Sequence, residues 1–176
     1  MTNGGSIQLE GLDRLRETLK RLGPGAFDAA MDGLEEGAMN IVADAQVNLR
    51  NNGSNATGLL SQSGHVERKR RASELIAGFF DTTNRNSGYA LYLENGRRAG
   101  KMPPPDEMEE YAYKKLRSRD RKEARAAGWA LAKHIAKWGT QPHPFFGPAV
   151  EKNKRTIAKK VQDALNSFAS RAGKAQ

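Results

Sequence analysis

The sequence predicts an α+β fold: a small antiparallel sheet packed against a long helix in the N-terminal half and a C-terminal helix, with a helical insertion. Apolar residues recur every three or four positions over 24–50 and again over 148–170, a spacing typical of amphipathic helices. The middle third has a different pattern. Residues 73–80 and 87–94 are short segments rich in aromatic and aliphatic side chains, separated by a turn-rich linker, which is typical of a hairpin.

Length and composition indicate one domain over 1–176, with the insertion at about 97–138. A chain of 176 residues that is 38% hydrophobic can close a core of its own. Cysteine is absent, which excludes disulfides, thiolate zinc sites and a thiol nucleophile. The first 25 residues lack the apolar core of a signal peptide, and no run approaches membrane-spanning length, so we expect a cytoplasmic origin.

Residues 7–50 are predicted to contain a short strand and two helices. Residues 7–10 alternate like a short edge strand, and residues 13–22 have the apolar spacing of a small helix. The long helix over 24–50 then buries one stripe, formed by Phe27, Met31, Leu34, Ala38, Ile41, Ala45 and Leu49. Gly33 and Gly37 lie outside this stripe and each cost about 1 kcal/mol relative to alanine, so close approach of another backbone is one possible reason for them.

The remaining elements follow in order. Residues 64–71 predict a third strand whose charged side chains mark a solvent-facing or edge position. After Gly96 the insertion predicts helices over 106–116 and 119–138. The buried stripe of the second is expected to comprise Ala124, Gly128, Leu131, Ile135 and Trp138. The final helix is expected to place Ile157, Val161, Leu165 and Phe168 on its inner side.

A proline-rich segment over 139–150 precedes the final helix and predicts an anchoring element. Its prolines favour extended backbone, and Pro148 suits a first helical turn because its missing N–H costs nothing there. Phe145 and Phe146 carry apolar area that must be buried somewhere. Adjacent residues of an extended chain point in opposite directions, so we expect one ring in the subunit's own core and the other at a partner.

The net charge of +9 is distributed unevenly along the chain. Residues 1–64 carry five cations and eight carboxylates, and the rest carries 24 and 12. The candidate basic surface comprises Arg68, Lys69, Arg70, Arg71, Lys114, Lys115, Arg117 and Arg119. Clustered cations are compatible with nucleic-acid binding. A solvated face, or charge complementarity with acidic partner proteins, is the interpretation we favour.

Residues able to perform catalysis are sparse. His65, His134 and His143 lie in separate elements, without the spacing of a metal site. The acidic residues that begin the helix at Asp106 are explained by favourable interaction with a helix N-terminus. The sequence therefore predicts a protein that is not an enzyme and that needs no cofactor or metal.

Three segments in order resemble the head–tail joining, or tail-completion, family of long-tailed bacteriophages. Residues 57–63 are similar to its Thr-Gly-x-Leu-x-x-Ser turn, 89–96 to its Tyr-Ala-x-x-x-Glu-x-Gly strand, and 142–149 to its Pro-x-Pro-Phe-x-x-Pro-Ala entry into the last helix. The motif residues taken as interaction candidates are Thr57, Gly58, Leu60, Tyr89, Tyr92, Glu94, Gly96, Pro142, Pro144, Phe145, Phe146 and Pro148. Compact members run almost directly from the second motif to the third, so this chain resembles the longer members.

The resemblance implies a structural virion protein of the neck, assembled in the host cytoplasm. It implies a ring, six-fold in the family, between the head connector or adaptor and the tail tube or tail terminator proteins. DNA would pass through its channel with at most non-specific contact, and no membrane would be involved. A basic nucleic-acid-binding module is the alternative. Glu94, if buried, is expected to pair with Arg97 or Arg98, and otherwise to be a surface charge at a strand end.

Overall fold

The computed structural model describes residues 17, 19–54, 58–69, 74–79, 89–116 and 120–173. The named elements follow the chain in the order α1 (Ala26–Asn51), α2 (Leu59–Gln62), β1 (Gly64–Lys69), β2 (Glu74–Phe79), α3 (Tyr89–Asn95), α4 (Pro105–Leu116), α5 (Arg121–Trp138) and α6 (Phe146–Ala172). Residues 19–22 are also helical, as predicted, whereas the predicted strand over 7–10 lies outside the described residues. The predicted α+β class is confirmed.

Helices α1 and α6 pack against each other along most of their length and run antiparallel. Gly33 lies against Lys160 and Val161, and Gly37 lies against Ile157, so residue numbers rise along one helix as they fall along the other. A Cβ atom at Gly33 would lie 2.7 Å from the carbonyl oxygen of Lys160. The two glycines therefore allow a close helix crossing, which accounts for residues that are unfavourable in a helix interior.

One prediction about α1 is wrong. Phe27 is 45% exposed, although the apolar periodicity placed it in the buried stripe. Gly33 and Gly37, which the predicted stripe left out, are buried. The buried residues of α1 are Ala26, Ala29, Ala30, Met31, Gly33, Gly37, Ala38, Ile41, Val42, Ala45 and Leu49.

Polar contacts add to the α1–α6 packing at its centre. The amide of Asn153, which is buried, donates to Asp44 Oδ2 at 2.7 Å and to the carbonyl of Ala149 at 2.9 Å. Lys152 Nζ donates to Asp44 Oδ1 at 2.9 Å. The hydrogen bond from Lys152, supported by that from Asn153, lowers the pKa of the Asp44 carboxyl below its usual value.

Two apolar clusters lie along this helix pair. The first contains Ile41, Ala45, Leu49, Phe145 and Ala149, surrounded by half-buried side chains that include Leu60, Phe79, Ala90, Leu93, Phe146 and Ile157. The second contains Ala26, Ala30 and Leu165, with Leu19, Leu22, Val161 and Phe168 around it. The four inner residues predicted for the final helix therefore all face the core.

The sheet is a hairpin of β1 and β2, and this corrects the predicted pairing. The strands are antiparallel with Gly64 opposite Phe79 and Lys69 opposite Glu74, and α1 contacts both. The sequence paired residues 73–80 with 87–94 instead. The predicted strand over 64–71 is observed from Gly64 to Lys69. It pairs with β2, whereas the prediction paired β2 with residues 87–94.

Residues 89–95 form helix α3, so the prediction of a strand over 87–94 is wrong. Ala90 and Leu93, three positions apart, both pack against the first cluster, which a helical turn permits. Alanine, leucine and glutamate are also good helix formers. Short apolar runs are ambiguous between the two periods, and here tertiary packing selected the helix.

Helices α4 and α5 pack on each other and confirm the predicted helical insertion. The Asp120 side chain accepts a hydrogen bond from the Lys122 backbone N–H at 2.8 Å, which caps the N-terminus of α5. Ala124 and Gly128 are buried as predicted. Trp138 is 67% exposed, contrary to the prediction, because α5 is six residues longer than α4 and its last turn extends past the α4 helix.

Candidate functional site

The second motif, which contains Glu94, and the third motif, which contains the prolines, lie next to each other in the structure. The backbone N–H of Arg97 donates to Thr140 O at 3.0 Å, Thr140 N–H donates to Arg97 O at 2.8 Å, and His143 N–H donates to Leu93 O at 2.7 Å. We call this contact between residues 93–97 and 140–147 the Glu94 junction. It joins the end of α3 to the start of α6, and thereby links the two halves of the domain core.

Glu94 is the centre of the junction. Its Oε2 atom accepts hydrogen bonds from the backbone N–H groups of Phe145 and Phe146 at 2.8 and 2.9 Å, and its Oε1 atom accepts from Gly147 at 2.9 Å. These donors belong to the first turn of α6, where backbone N–H groups lack helical partners. The carboxylate therefore caps the helix and interacts favourably with its positive end.

Both sequence-based expectations for Glu94 are wrong. The half-buried carboxylate is neither a strand-end surface charge nor paired with Arg97 or Arg98. The Arg97 guanidinium instead donates to the Lys101 carbonyl and lies 5.3 Å from the centre of the Tyr92 ring. Backbone donors satisfy a carboxylate as well as a cation does, and a helix N-terminus presents several at once.

Gly96 permits the close approach of the two segments. Its φ of +72° lies in the left-handed region that glycine adopts without strain. A Cβ atom there would lie 2.7 Å from Thr140 O and 3.0 Å from Pro142 N. In the second motif, Glu94 thus caps α6, and Gly96 leaves room for the segment that leads into α6.

The aromatic pair of the third motif packs at the same place. Phe145 is 2% exposed and meets the ring of Phe79 edge-on at 5.1 Å between centroids. Phe146 is half-buried and meets the same Phe79 ring at 6.1 Å. One phenylalanine is therefore a core residue, and the other is only partly covered by its own subunit.

Two asparagines at the C-terminal end of α1 bind the backbone just before α6, one in the last turn of the helix and one at its C-cap. Asn48 Nδ2 donates to Phe145 O and Asn52 Nδ2 donates to Pro144 O, each at 2.9 Å. Sequence reasoning missed both residues. Their spacing of four brings them to the same side of the chain at the end of α1, but nothing in the sequence identifies their partners almost a hundred residues away.

The other motif residues are less concentrated. Gly58, with φ +76°, precedes α2, and Leu60 packs against the first cluster. Tyr92 is 48% exposed, and the three motif prolines are exposed. Thr57 lies outside the described residues, and for Tyr89 only the backbone position at the start of α3 is described. The motif prolines are Pro142, Pro144 and Pro148.

The described members of the candidate basic surface are engaged within the chain. Arg68 contacts Asp28 and Asp32 of α1 at 2.8 and 2.6 Å, and its side chain is only 17% exposed. The sequence predicts a solvent-facing or edge position for this strand. β1 is an edge strand of the two-stranded sheet, but Arg68 does not face solvent, because alternation places it on the hairpin face that meets α1. Lys69 pairs with Glu74, Lys114 with Glu110, and Lys115 donates to Gly53 O. Arg70, Arg71, Arg117 and Arg119 lie outside the described residues.

The described histidine and acidic side chains do not form a metal site. His65 contacts the Ser63 carbonyl at 3.0 Å. Within the described ranges, no group of histidine and acidic side chains could hold a metal ion. In the same part of the chain, no helix is both long enough and apolar enough to cross a bilayer.

The Arg97–Thr140 contact suggests that the insertion can be removed. A mutual pair of backbone hydrogen bonds is the pair that closes a two-residue hairpin. We therefore expect that replacing residues 98–139 with Asn-Gly leaves the remaining domain folded. Circular dichroism should show a smaller helical signal but a cooperative thermal transition. A non-cooperative melt would show that α4 and α5 are part of the core.

Part of the chain matches a model of a known protein family. Residues 13–96 match the family model described as "Bacteriophage HK97-gp10, putative tail-component". No curated protein and no solved structure gives a significant match. The matched range ends at Gly96, the last residue before the insertion, and it includes α1, the hairpin and α3. Over residues 13–96 the chain is similar to the HK97 gp10-like family of bacteriophage tail components, a head–tail joining and tail-completion family of structural proteins that are not enzymes.

Proposed function

We propose that this protein forms a ring in the phage neck that completes the tail end and joins it to the head connector around the DNA channel. The ring would contain six copies, following the resemblance to the tail-completion family. Its partners would be the connector or adaptor on one side and the tail tube or tail terminator on the other. Assembly would take place in the host cytoplasm.

The observation that carries this proposal is a set of exposed apolar side chains in the first and second motifs, residues 57–63 and 89–96. Leu91 is 61% exposed and Tyr92 is 48% exposed on α3, beside the Glu94 junction, and Leu59 of α2 is 57% exposed. Such side chains are costly to leave in water when they lie together, and they mark protein interfaces. A closed ring would cover them in every copy, because each subunit offers the same patch to its neighbour.

The junction supports the same proposal through rigidity. Glu94, Asn48 and Asn52 fix the segment before α6 by five hydrogen bonds to its backbone. An interface built on a fixed segment loses less conformational entropy on association than one built on a free loop. Phe146 and the exposed prolines are thus presented to a partner in one geometry.

Sedimentation of the purified protein with and without the connector of its phage tests the proposal. We expect a monomer or weak oligomer alone and co-sedimentation with the connector. Leu91→Glu should prevent the joining of heads to tails, because it places a charge in the covered patch. Met39→Glu is the matched control, since Met39 is 52% exposed on α1. Absence of co-sedimentation for the wild-type protein would refute the ring on the connector.

The alternative is a basic nucleic-acid-binding module. The ion pairs of Arg68 argue against it, because carboxylates already neutralise this cation, which is less exposed than the neighbouring Lys69. Non-specific duplex binding is expected to vanish at about 0.2 M salt, since counterion release drives it. Sequence-selective binding that survives this salt concentration would favour the alternative.

A further inference from the structure

The outward side of α5 is a basic face with one tryptophan. With 3.6 residues per turn, Lys122, Trp129 and Lys133 lie within about 40° of one another, and Arg125 and Lys137 flank them. We call these five residues the α5 basic face. All of them are exposed, and the centre of the face lies about 120° around the helix from the residues that pack on α4. The buried residues on the α4 side are Ala124, Gly128 and Ala132.

None of the four cations of this face takes part in an ion pair among the described residues. The ion pairs of the described chain use Arg68, Lys69, Lys114, Arg121, Lys152, Lys154 and Lys160 instead. Arg121, at the start of the same helix, is turned towards Glu109 and Glu110 of α4. Lys137 Nζ lies 4.8 Å from the centre of the exposed Trp138 ring. The positive charges of Lys122, Arg125 and Lys133 are therefore available to a negatively charged partner.

Trp129 lies at the centre of the face. It is 42% exposed, and the exposed neighbours Ala126 and Ala130 form a small apolar strip beside it. An apolar centre with a charged rim has the anatomy of a protein interface, in which buried tryptophan and arginine supply most of the binding energy. A helix that presents such a face is suited to an apolar groove.

We infer that the α5 basic face docks into an apolar groove with an acidic rim on another virion protein. This inference rests on the proposed neck function. A second copy of this chain fits less well, because each copy carries a net charge of +9, which opposes association through a basic face. Duplex DNA also fits less well, because a phosphate backbone attracts the cations but provides no pocket for the central indole.

Photocrosslinking identifies what the face touches. Phage particles are produced with p-benzoylphenylalanine in place of Trp129, irradiated and digested, and the crosslinked peptides are sequenced by mass spectrometry. We expect a peptide of a different virion protein that contains Asp or Glu residues. A crosslink to DNA or to a second copy of this chain, or no crosslink at all, would overturn the inference.

Charge reversal provides the second measurement. Lys122→Glu with Lys133→Glu should reduce the yield of infectious particles at least tenfold, while the thermal transition of the purified protein stays the same. Arg155→Glu with Lys159→Glu is the matched control, with the same change of charge at exposed positions of α6. Equal yields from both double variants would also overturn the inference. Particles that lack the wild-type chain would refute the proposed neck function and this inference together.

Discussion

Replacing Phe145 with alanine is expected to lower the free energy of unfolding by about 3–5 kcal/mol, the range for truncating a buried aromatic side chain. Phe145 is 2% exposed and packs edge-on against Phe79 in the cluster that joins α1 to α6. The vacated volume cannot collapse easily, because Asn48 and Glu94 hold the backbone on either side. Urea unfolding followed by circular dichroism measures the change.

Phe146→Ala is the matched comparison for Phe145→Ala. The half-buried ring of Phe146 contributes less to the core, so we expect a clearly smaller loss of stability. If Phe146 faces a neck partner, the variant should fold and yet join heads to tails poorly. Equal losses of stability for the two variants would contradict the division of roles, and no loss for Phe145→Ala would contradict the core assignment.

Replacing Glu94 with alanine is expected to cost about 3 kcal/mol, because three backbone N–H groups at the start of α6 lose their acceptor. Hydrogen exchange at the amides of Phe145, Phe146 and Gly147 should accelerate relative to the rest of the helix. Glu94→Gln keeps one acceptor oxygen, so it should restore part of the stability. Denaturant unfolding and exchange measured together separate the local effect from the global one.

A control for Glu94 is available on the hairpin. Glu67 lies exposed on β1, so Glu67→Gln removes one carboxylate charge without removing a helix cap. We expect a change within about 0.5 kcal/mol, as is usual for surface substitutions. If Glu94→Ala is as mild as Glu67→Gln, the capping role is wrong.

The candidate site could be predicted from the sequence in its parts but not in its assembly. The motif around Glu94 and Gly96 and the motif around Phe145 and Phe146 both stand out in the sequence. Their mutual contact did not, because 51 to 53 residues separate Glu94 from its donors and most of that distance is the insertion. The partners of Glu94 are also backbone groups, which have no sequence signature.

The sequence by itself determined the long helices. In α1, α5 and α6 the apolar period extends over 18 to 27 residues, so the pattern distinguishes the helix from a strand. The close crossing at Gly33 and Gly37 was foreseen as one reason for those glycines. The insertion helices were predicted within about two residues of their observed ends.

Only the tertiary structure decided the short elements and the charged contacts. The seven residues of α3 are too few to be a stable helix alone, so burial of Ala90 and Leu93 and capping of α6 by Glu94 select the conformation. From the sequence, Arg68 is expected to be a surface cation. In the structure, the hairpin places it against the carboxylates of α1. Local periodicity fixes a long helix because each turn repeats the same preference, whereas a short segment or a single charge takes its state from whatever the fold brings against it.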